Sequence, residues 1–317
     1  MASSPEAPTA NAAAGANSQD PAGDGRRRGL AGALRKTKLV GEAVIFRHTL
    51  FSLPFALAAV LLETDGRPSL WKLAWIVVAA ASGRNAANAI NRIVDKDIDA
   101  ANPRTAGRHL PTGALSPRDL KLFAAAMLAL LVLAAAMLGW ICAALLPVAG
   151  IMIFGYSYTK RFTWLCHWWL GATCAIATMG SFIALTGSIF ELRYFALAGG
   201  VALWVAGFDV IYALQDIEVD RAQGLHSAPA RFGAAGGRLL AAASHLGALA
   251  LLGSAPLFWP LGLPFAIGMA AVAALLVAEH IVARGGTERH IRLAAYGINE
   301  VLPLVFLAAV AVDLYLA

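Results

Sequence analysis

Apolar stretches of about 20 residues recur from about residue 40 to the C-terminus, each long enough to cross the hydrocarbon core of a bilayer as a helix. Few folds are open to such a chain. Backbone N–H and C=O groups in lipid must be satisfied within the protein, so spanning segments are helices or strands of a closed barrel. These runs are too long and too uniformly apolar for barrel strands. With 59% hydrophobic and 14% charged residues and a mean hydropathy of +0.66, the chain lies outside the range of ordinary soluble domains. The expected fold is all-α, a polytopic membrane bundle of about nine transmembrane helices. The spans fall near 40–63, 71–94, 120–138, 140–158, 163–186, 194–216, 238–258, 262–283 and 291–316.

Residues 1–38 read as a disordered Ala/Pro/Gly-rich tail ending in a basic juxtamembrane cluster of Arg26, Arg27, Arg28, Arg35, Lys36 and Lys38; residues 39–317 read as a single transmembrane domain. The basic cluster follows the tail instead of preceding an apolar run, so no cleaved secretory signal is expected. Of the 25 Lys and Arg residues, only Arg67, Lys72 and Arg193 fall in loops opposite the basic N-terminus. The positive-inside rule then makes the N-terminus cytoplasmic and sends the ends of even-numbered helices to the cytoplasmic face. Arg118, Lys121, Arg238, Arg284, Arg289 and Arg292 are read as such topology signals. The formal charge of +6 does not indicate nucleic acid, because the basic residues punctuate hydrophobic segments and form no soluble basic face. Cys142, Cys166 and Cys174 have no metal-site spacing and read as packing residues.

The second predicted helix ends in NRIVDKDIDAANPRTAGRHLP, where Asn91, Asp95 and Asp99 recur at i, i+4 and i+8 and share one face. Stacked carboxylates call for a cation between them. Magnesium takes one or two carboxylates and completes its shell with water and phosphate oxygens. Arg104 and Arg108 follow Pro103, on a loop from which cationic side chains can reach an anion held by the metal. The sixth predicted helix ends in a matching pair, Asp216 and Asp220, and runs parallel to the second. The two pairs can therefore face each other and hold two Mg2+ ions around one diphosphate. Tyr156 and Lys160, with Arg161 beside them at the end of the fourth helix, are candidate donors to that diphosphate as it leaves. Asp97 points elsewhere and reads as solvated.

Arg84, Asp209 and Tyr212 lie deeper, where ionisable groups normally face a cavity; an anionic aromatic head group is a candidate partner. Arg47 and His48 read equally as interfacial or ligand-facing. Asn299 and Glu300 read as an interhelical polar contact, and Glu279 and His280 as interfacial. Helix ends on one face distinguish this pattern from a secondary transporter, the alternative of a different class, whose site lies at broken helices near the midplane.

Asn91, Asp95, Asp99, Arg104 and Arg108, the second motif at Asp216 and Asp220, Tyr156 and Lys160, and the deep Arg84 together resemble the UbiA superfamily of intramembrane aromatic prenyltransferases. The likeness runs from about residue 40 onward. It departs at Arg92, where the family often has Asp, so that one possible metal ligand is missing, and at His226, where other members often have Lys. HTLFSLPFA at 48–56, TKRFTWLCH at 159–167 and GLHSAPARFG at 224–233 resemble a 4-hydroxybenzoate polyprenyltransferase-like branch.

The resemblance implies transfer of a polyprenyl group from polyprenyl diphosphate to a ring carbon of a small aromatic acid, 4-hydroxybenzoate, in ubiquinone or menaquinone biosynthesis. A naphthoate-type menaquinone precursor and haem are the alternative acceptors. It implies Mg2+ at Asp95, Asp99, Asp216 and Asp220 with Asn91 assisting. The diphosphate falls to Asn91, Arg104, Arg108, Tyr156 and Lys160, and the acceptor to Arg84, Asp209 and Tyr212. The enzyme would sit in the inner membrane with its active site open to the cytoplasm, and its lipid tail would enter from the bilayer. Neither Arg92 nor the tail acquires a role.

Overall fold

A computed structural model describes residues 39–42 and 49–316. Arg47, His48 and the tail with its basic cluster lie outside the described residues. The helices are α1 Thr49–Glu63, α2 Leu70–Val94, α3 Lys96–Ala101, α4 Pro117–Leu138, α5 Trp140–Ala144, α6 Leu146–Thr159, α7 Cys166–Thr186, α8 Leu192–Ala213, α9 Ile217–Ala222, α10 Ala228–Gly253, α11 Leu263–Ala283, α12 Glu288–Arg292 and α13 Asn299–Leu316.

The fold is an all-α polytopic membrane bundle, but among the described residues only six helices are both long and apolar enough to cross a bilayer. They begin at Pro117, Cys166, Leu192, Ala228, Leu263 and Glu288. The difference from nine has three causes. The expected first span is described only in part, and its remaining apolar helix, Phe51–Glu63, is short. Helix α2 is 25 residues long but carries Lys72 in its first turn and Arg84 and Arg92 among three asparagines of its second half. The expected span at 140–158 is interrupted at Leu145, next to Pro147, leaving α6 with 14 residues, about 21 Å of helix.

Helix packing relies on small residues, as expected where lipid removes the hydrophobic force between helices. At Gly171 a Cβ would lie 2.1 Å from the carbonyl oxygen of Ala202, so α7 and α8 touch backbone to backbone. Helix α8 also packs along α10, α2 along α4, and α13 against both α1 and α11. The core between them contains the buried aromatics Phe55, Phe182, Tyr194, Trp204, Phe265 and Phe306. Apolar side chains such as Leu122, Val132, Leu239 and Ile281 remain exposed on the outer faces, consistent with a lipid-facing surface.

Polar groups fasten the helix ends. Asp313 of α13 accepts from the N–H groups of Gly262 and Phe265 at 2.9 Å, satisfying the start of α11. Ser116 and Asp119 form a capping box at α4, with Pro117 in the first turn. A π-helical turn, Leu293–Ile298, precedes α13; Asn299 donates to the Ala294 carbonyl at 3.0 Å and accepts from Trp204 Nε1 at 2.7 Å. The expected interhelical contact of Asn299 is thus present. Glu279 requires correction: it is fully buried, 3.9 Å from His245 Nδ1. Its face of α11 turns inward toward α10, although it lies only four residues from the helix end at Ala283.

Candidate active site

Both acidic motifs sit across breaks of the same kind. Helix α2 ends at Val94, and Asp95 adopts φ −93° and ψ 9° before α3 resumes. Helix α8 ends at Ala213, a 3-10 turn covers Leu214–Asp216, and Asp216 adopts φ −106° and ψ 5° before α9. This sparsely populated backbone region is frequent at active sites. The i to i+4 register survives in the first motif, since the Asp95 N–H donates to the Asn91 carbonyl at 2.9 Å and Asp99 N–H to Asp95 at 2.7 Å.

Asp95 and Asp99 are buried, and both are neutralised by nearby cations. Asp95 pairs with Lys160 Nζ at 2.7 Å and Arg161 at 3.1 Å, and accepts from Asn91 Nδ2 at 2.8 Å. Arg161 also donates to the Val94 carbonyl at 3.0 Å, tying the end of α6 to the end of α2. Asp99 pairs with Arg108 at 2.6 Å, with Arg92 at 4.0 Å beyond.

The loop after α3 reaches across to the second motif. Arg104 grips Asp216 with two bonds, Nε to Oδ1 at 3.1 Å and Nη2 to Oδ2 at 2.6 Å, while its Nη1 donates to the Tyr212 hydroxyl at 2.5 Å. Asn102 adds a bond to Asp216 at 3.0 Å. Burial is the largest single influence on the Arg104 pKa and would lower it, but the Asp216 bond and charge together with the nearby Tyr212 and Tyr296 outweigh it, and the net shift is upward. Asp220 accepts from Ser227 at 2.6 Å and has Lys160 within electrostatic reach. The His226 N–H donates to the Lys160 carbonyl at 2.6 Å, closing this end of the bundle.

One cavity opens at this cluster and a second lies deeper in the bundle. A polar one of about 420 Å³ is lined by Arg92, Arg104, Arg108, Asp99 and His109. Arg92, without a role from sequence, is therefore a wall of the cationic mouth. An apolar one of about 310 Å³ lies deeper, between α2, α4, α6, α7 and the first turn of α8, lined by Arg84, Leu131, Ile153, Cys174 and Phe195. Arg84 donates to Cys174 Sγ at 2.9 Å, and its buried Nε has no hydrogen-bond partner among the described residues. Exposed Val148 and Phe195 lie on this cavity's outer rim.

Three expected residues have other immediate partners. The Tyr156 hydroxyl donates to the Ala87 carbonyl at 3.1 Å, clamping α6 to α2. Tyr212 faces Arg104 and packs edge-on against Tyr296, with ring centroids 5.0 Å apart. Asp209 pairs with His167 Nδ1 at 2.6 Å. Sequence reasoning passed over Asn102, Ser227 and His167. Only position marked them: Asn102 precedes Pro103, Ser227 has capping character, and His167 interrupts an aromatic run.

Among the described residues, no three Asp, Glu, His or Cys side chains converge into a self-sufficient metal cluster. The donors nevertheless suit magnesium, which is content with one or two carboxylates and takes other ligands from phosphate and water. The four aspartates and Asn91 offer only hard oxygen donors.

Paired acidic motifs and convergent cations above an apolar cavity, within one helical bundle, define a polytopic membrane transferase. The chain belongs to the UbiA prenyltransferase family, whose sequence profile matches residues 52–309. The 4-hydroxybenzoate octaprenyltransferase of Xanthomonas oryzae pv. oryzae is 33% identical over 258 residues, covering 80% of this chain and 84% of that protein. A UbiA homolog from Aeropyrum pernix K1, solved in its apo form, is 33% identical with a TM-score of 0.76, over 84% of this chain and 98% of that one. A UbiA homolog from Archaeoglobus fulgidus bound to GPP and Mg2+ shares the fold at 18% identity and a TM-score of 0.61, over 86% of this chain and 99% of that one.

Proposed function

We propose that this protein transfers a polyprenyl group from polyprenyl diphosphate to a ring carbon of 4-hydroxybenzoate, in ubiquinone or menaquinone biosynthesis. The reading carries with it about nine membrane crossings, with a cytoplasmic N-terminus and the cationic mouth on the cytoplasmic face of the inner membrane. The observation that carries it is the closure of one acidic motif on the other. Arg104, from the loop behind Asp95 and Asp99, grips Asp216 with two bonds while Arg108 holds Asp99 at 2.6 Å. Guanidinium groups bind phosphate oxygens with the same forked geometry. The names of the curated relatives support the same donor and acceptor.

Asp95, Asp99, Asp216 and Asp220, assisted by Asn91, would hold two magnesium ions together with the diphosphate. Bound there, magnesium supplies positive charge against the departing group. Arg104, Arg108, Lys160 and Arg92 bind the diphosphate oxygens, while Tyr156 keeps the Lys160 helix against α2. The allylic C–O bond breaks and its electron pair leaves with the diphosphate. The prenyl tail occupies the apolar cavity, which shields the carbocation from water. Arg84 pairs with the acceptor carboxylate, whose absence would leave a buried cation served chiefly by a thiol. The ring carbon attacks, and Asp209 takes the displaced ring proton.

The test is direct. Purified protein in lipid vesicles, given labelled polyprenyl diphosphate, 4-hydroxybenzoate and Mg2+, should form a prenylated acid extractable into organic solvent. Chelation should stop the reaction and added Mg2+ should restore it. No product from 4-hydroxybenzoate, whether or not another aromatic acid is prenylated, would overturn the assignment.

A further inference from the structure

We propose that His167 is the positioning residue for the ring-proton acceptor: it binds one oxygen of Asp209 and leaves the other directed at the substrate. This rests on the prenyl-transfer reading above. It assigns His167 a role that the two acidic motifs do not imply.

The depth of Asp209 comes first. It lies seven residues before Asp216 on α8, as Arg84 lies seven before Asn91 on α2, which sets both about 10 Å inside the mouth at 1.5 Å per residue. A cation and an acid thus both stand inside the mouth, on two helices of parallel direction. Arg84 and Tyr296 are both within electrostatic reach of Asp209, and Cys174 neighbours it from α7. Phe208 and Val210 on either side are buried, yet the Asp209 side chain keeps 26% of its surface accessible while that of His167 keeps 4%. The acid therefore borders open space, and the imidazole behind it does not.

Hydrogen bonding fixes the imidazole. The Ala228 N–H, in the first turn of α10, donates to His167 Nε2 at 3.2 Å. That nitrogen must carry its lone pair, so the ring proton of the neutral imidazole sits on Nδ1. Nδ1–H then donates to Asp209 Oδ2 at 2.6 Å. The tautomer is set by a backbone amide, itself held because Ser227 caps α10 by accepting from the Ala230 N–H at 3.2 Å. Three helices, α7, α8 and α10, converge on the one ring, and Asp209 has a single defined orientation.

The chemical step balances without a further reagent. After the prenyl carbon bonds to the ring, the ring C–H bond breaks and its electron pair restores aromaticity. The proton goes to Asp209 Oδ1, and Oδ2 keeps the Nδ1–H bond before and after transfer. The proton passes to water at the mouth when product leaves. His167 gains and loses nothing; it holds the acid.

The experiment compares wild type, His167→Leu and His167→Asn, using 4-hydroxybenzoate deuterated at the prenylated ring carbon. The leucine variant should lose about 10- to 100-fold in kcat, the scale of a displaced general base, with little change in acceptor KM. It should also acquire a primary isotope effect absent from wild type, because proton removal becomes slow. Asparagine, whose amide N–H can stand near the Nδ1 position, should recover most of the rate and lose the isotope effect. Loss of rate without an isotope effect, or equal failure of the asparagine and leucine variants, would overturn the proposal. A wild type that prenylates no aromatic acid is a separate result, and it would fall on the proposed function instead.

Discussion

Replacing Arg104 with lysine keeps the charge and removes the fork. In the native site the guanidinium makes two bonds to Asp216 and one to Tyr212, and stacks over the Tyr212 ring at 4.9 Å. A lysine ammonium is a point donor that can reach one of these acceptors at a time. The pair is sheltered, with 20% of the Arg104 side chain and 13% of the Asp216 side chain accessible. Each lost charge-assisted bond is worth about 1.5–3 kcal/mol. Losing two, discounted to the lower bound because lysine retains the Coulomb attraction, gives about 3 kcal/mol, or about a hundredfold in kcat/KM. The loss should appear in the kinetics of the prenyl diphosphate, leaving the acceptor KM unmoved. Tyr212→Phe removes a single bond and should cost about tenfold, and the double variant should be less than additive because the two residues share one contact. The Arg104 pKa is shifted upward, so its charge persists throughout any practical assay range and a pH optimum cannot arise from its deprotonation. Wild-type kcat/KM in Arg104→Lys, or a loss expressed only in the acceptor KM, would refute this assignment of Arg104.

Asp95→Ala and Asp216→Ala should each abolish Mg2+-dependent transfer while the protein still inserts, as judged by membrane fractionation; full activity in either would remove that residue from the metal set. Arg84→Ala should raise the acceptor KM more than the donor KM in steady-state assays, and the opposite pattern would argue against a carboxylate contact. Gly171→Ala should destabilise by about 1–3 kcal/mol in thermal melts in detergent, because the new methyl would meet the Ala202 carbonyl at 2.1 Å. Gly150→Ala, with nothing within 4 Å of its added Cβ, serves as the control and should melt with wild type or slightly above it.

The helical bundle was legible because a bilayer permits few alternatives, and the acidic pairs because their i, i+4 spacing appears twice. The breaks at Asp95 and Asp216 were not. Neither site carries the Gly or Pro that announces a break, and each depends on side chains arriving from elsewhere. Pro147, by contrast, was visible in the sequence, but the apolar run around it concealed its effect. Complementary charges could be named from sequence without revealing which would meet: Arg104 and Asp216 are separated by 112 residues and are joined only by folding. Glu279 was misplaced for the same reason, since sequence gives its distance from a helix end but not the neighbour its face turns toward. His167 had no spacing motif at all, and only the helix-start amide at Ala228 discloses its orientation.

The partner order of the acids inside the bundle also bears on how the chain can enter a membrane during synthesis. Asp209, Asp216, Glu279 and Asp313 each meet groups that lie earlier in the chain: His167, Arg104, His245 and the amides of Gly262 and Phe265. Each of these four acids therefore emerges from the ribosome after its counterpart. Asp95 is the opposite case, because Arg161 follows it by 66 residues, roughly 3–13 s of translation. During that interval its carboxylate must be kept solvated at the membrane surface, and its place at the helix end, where water is within reach, makes the wait tolerable.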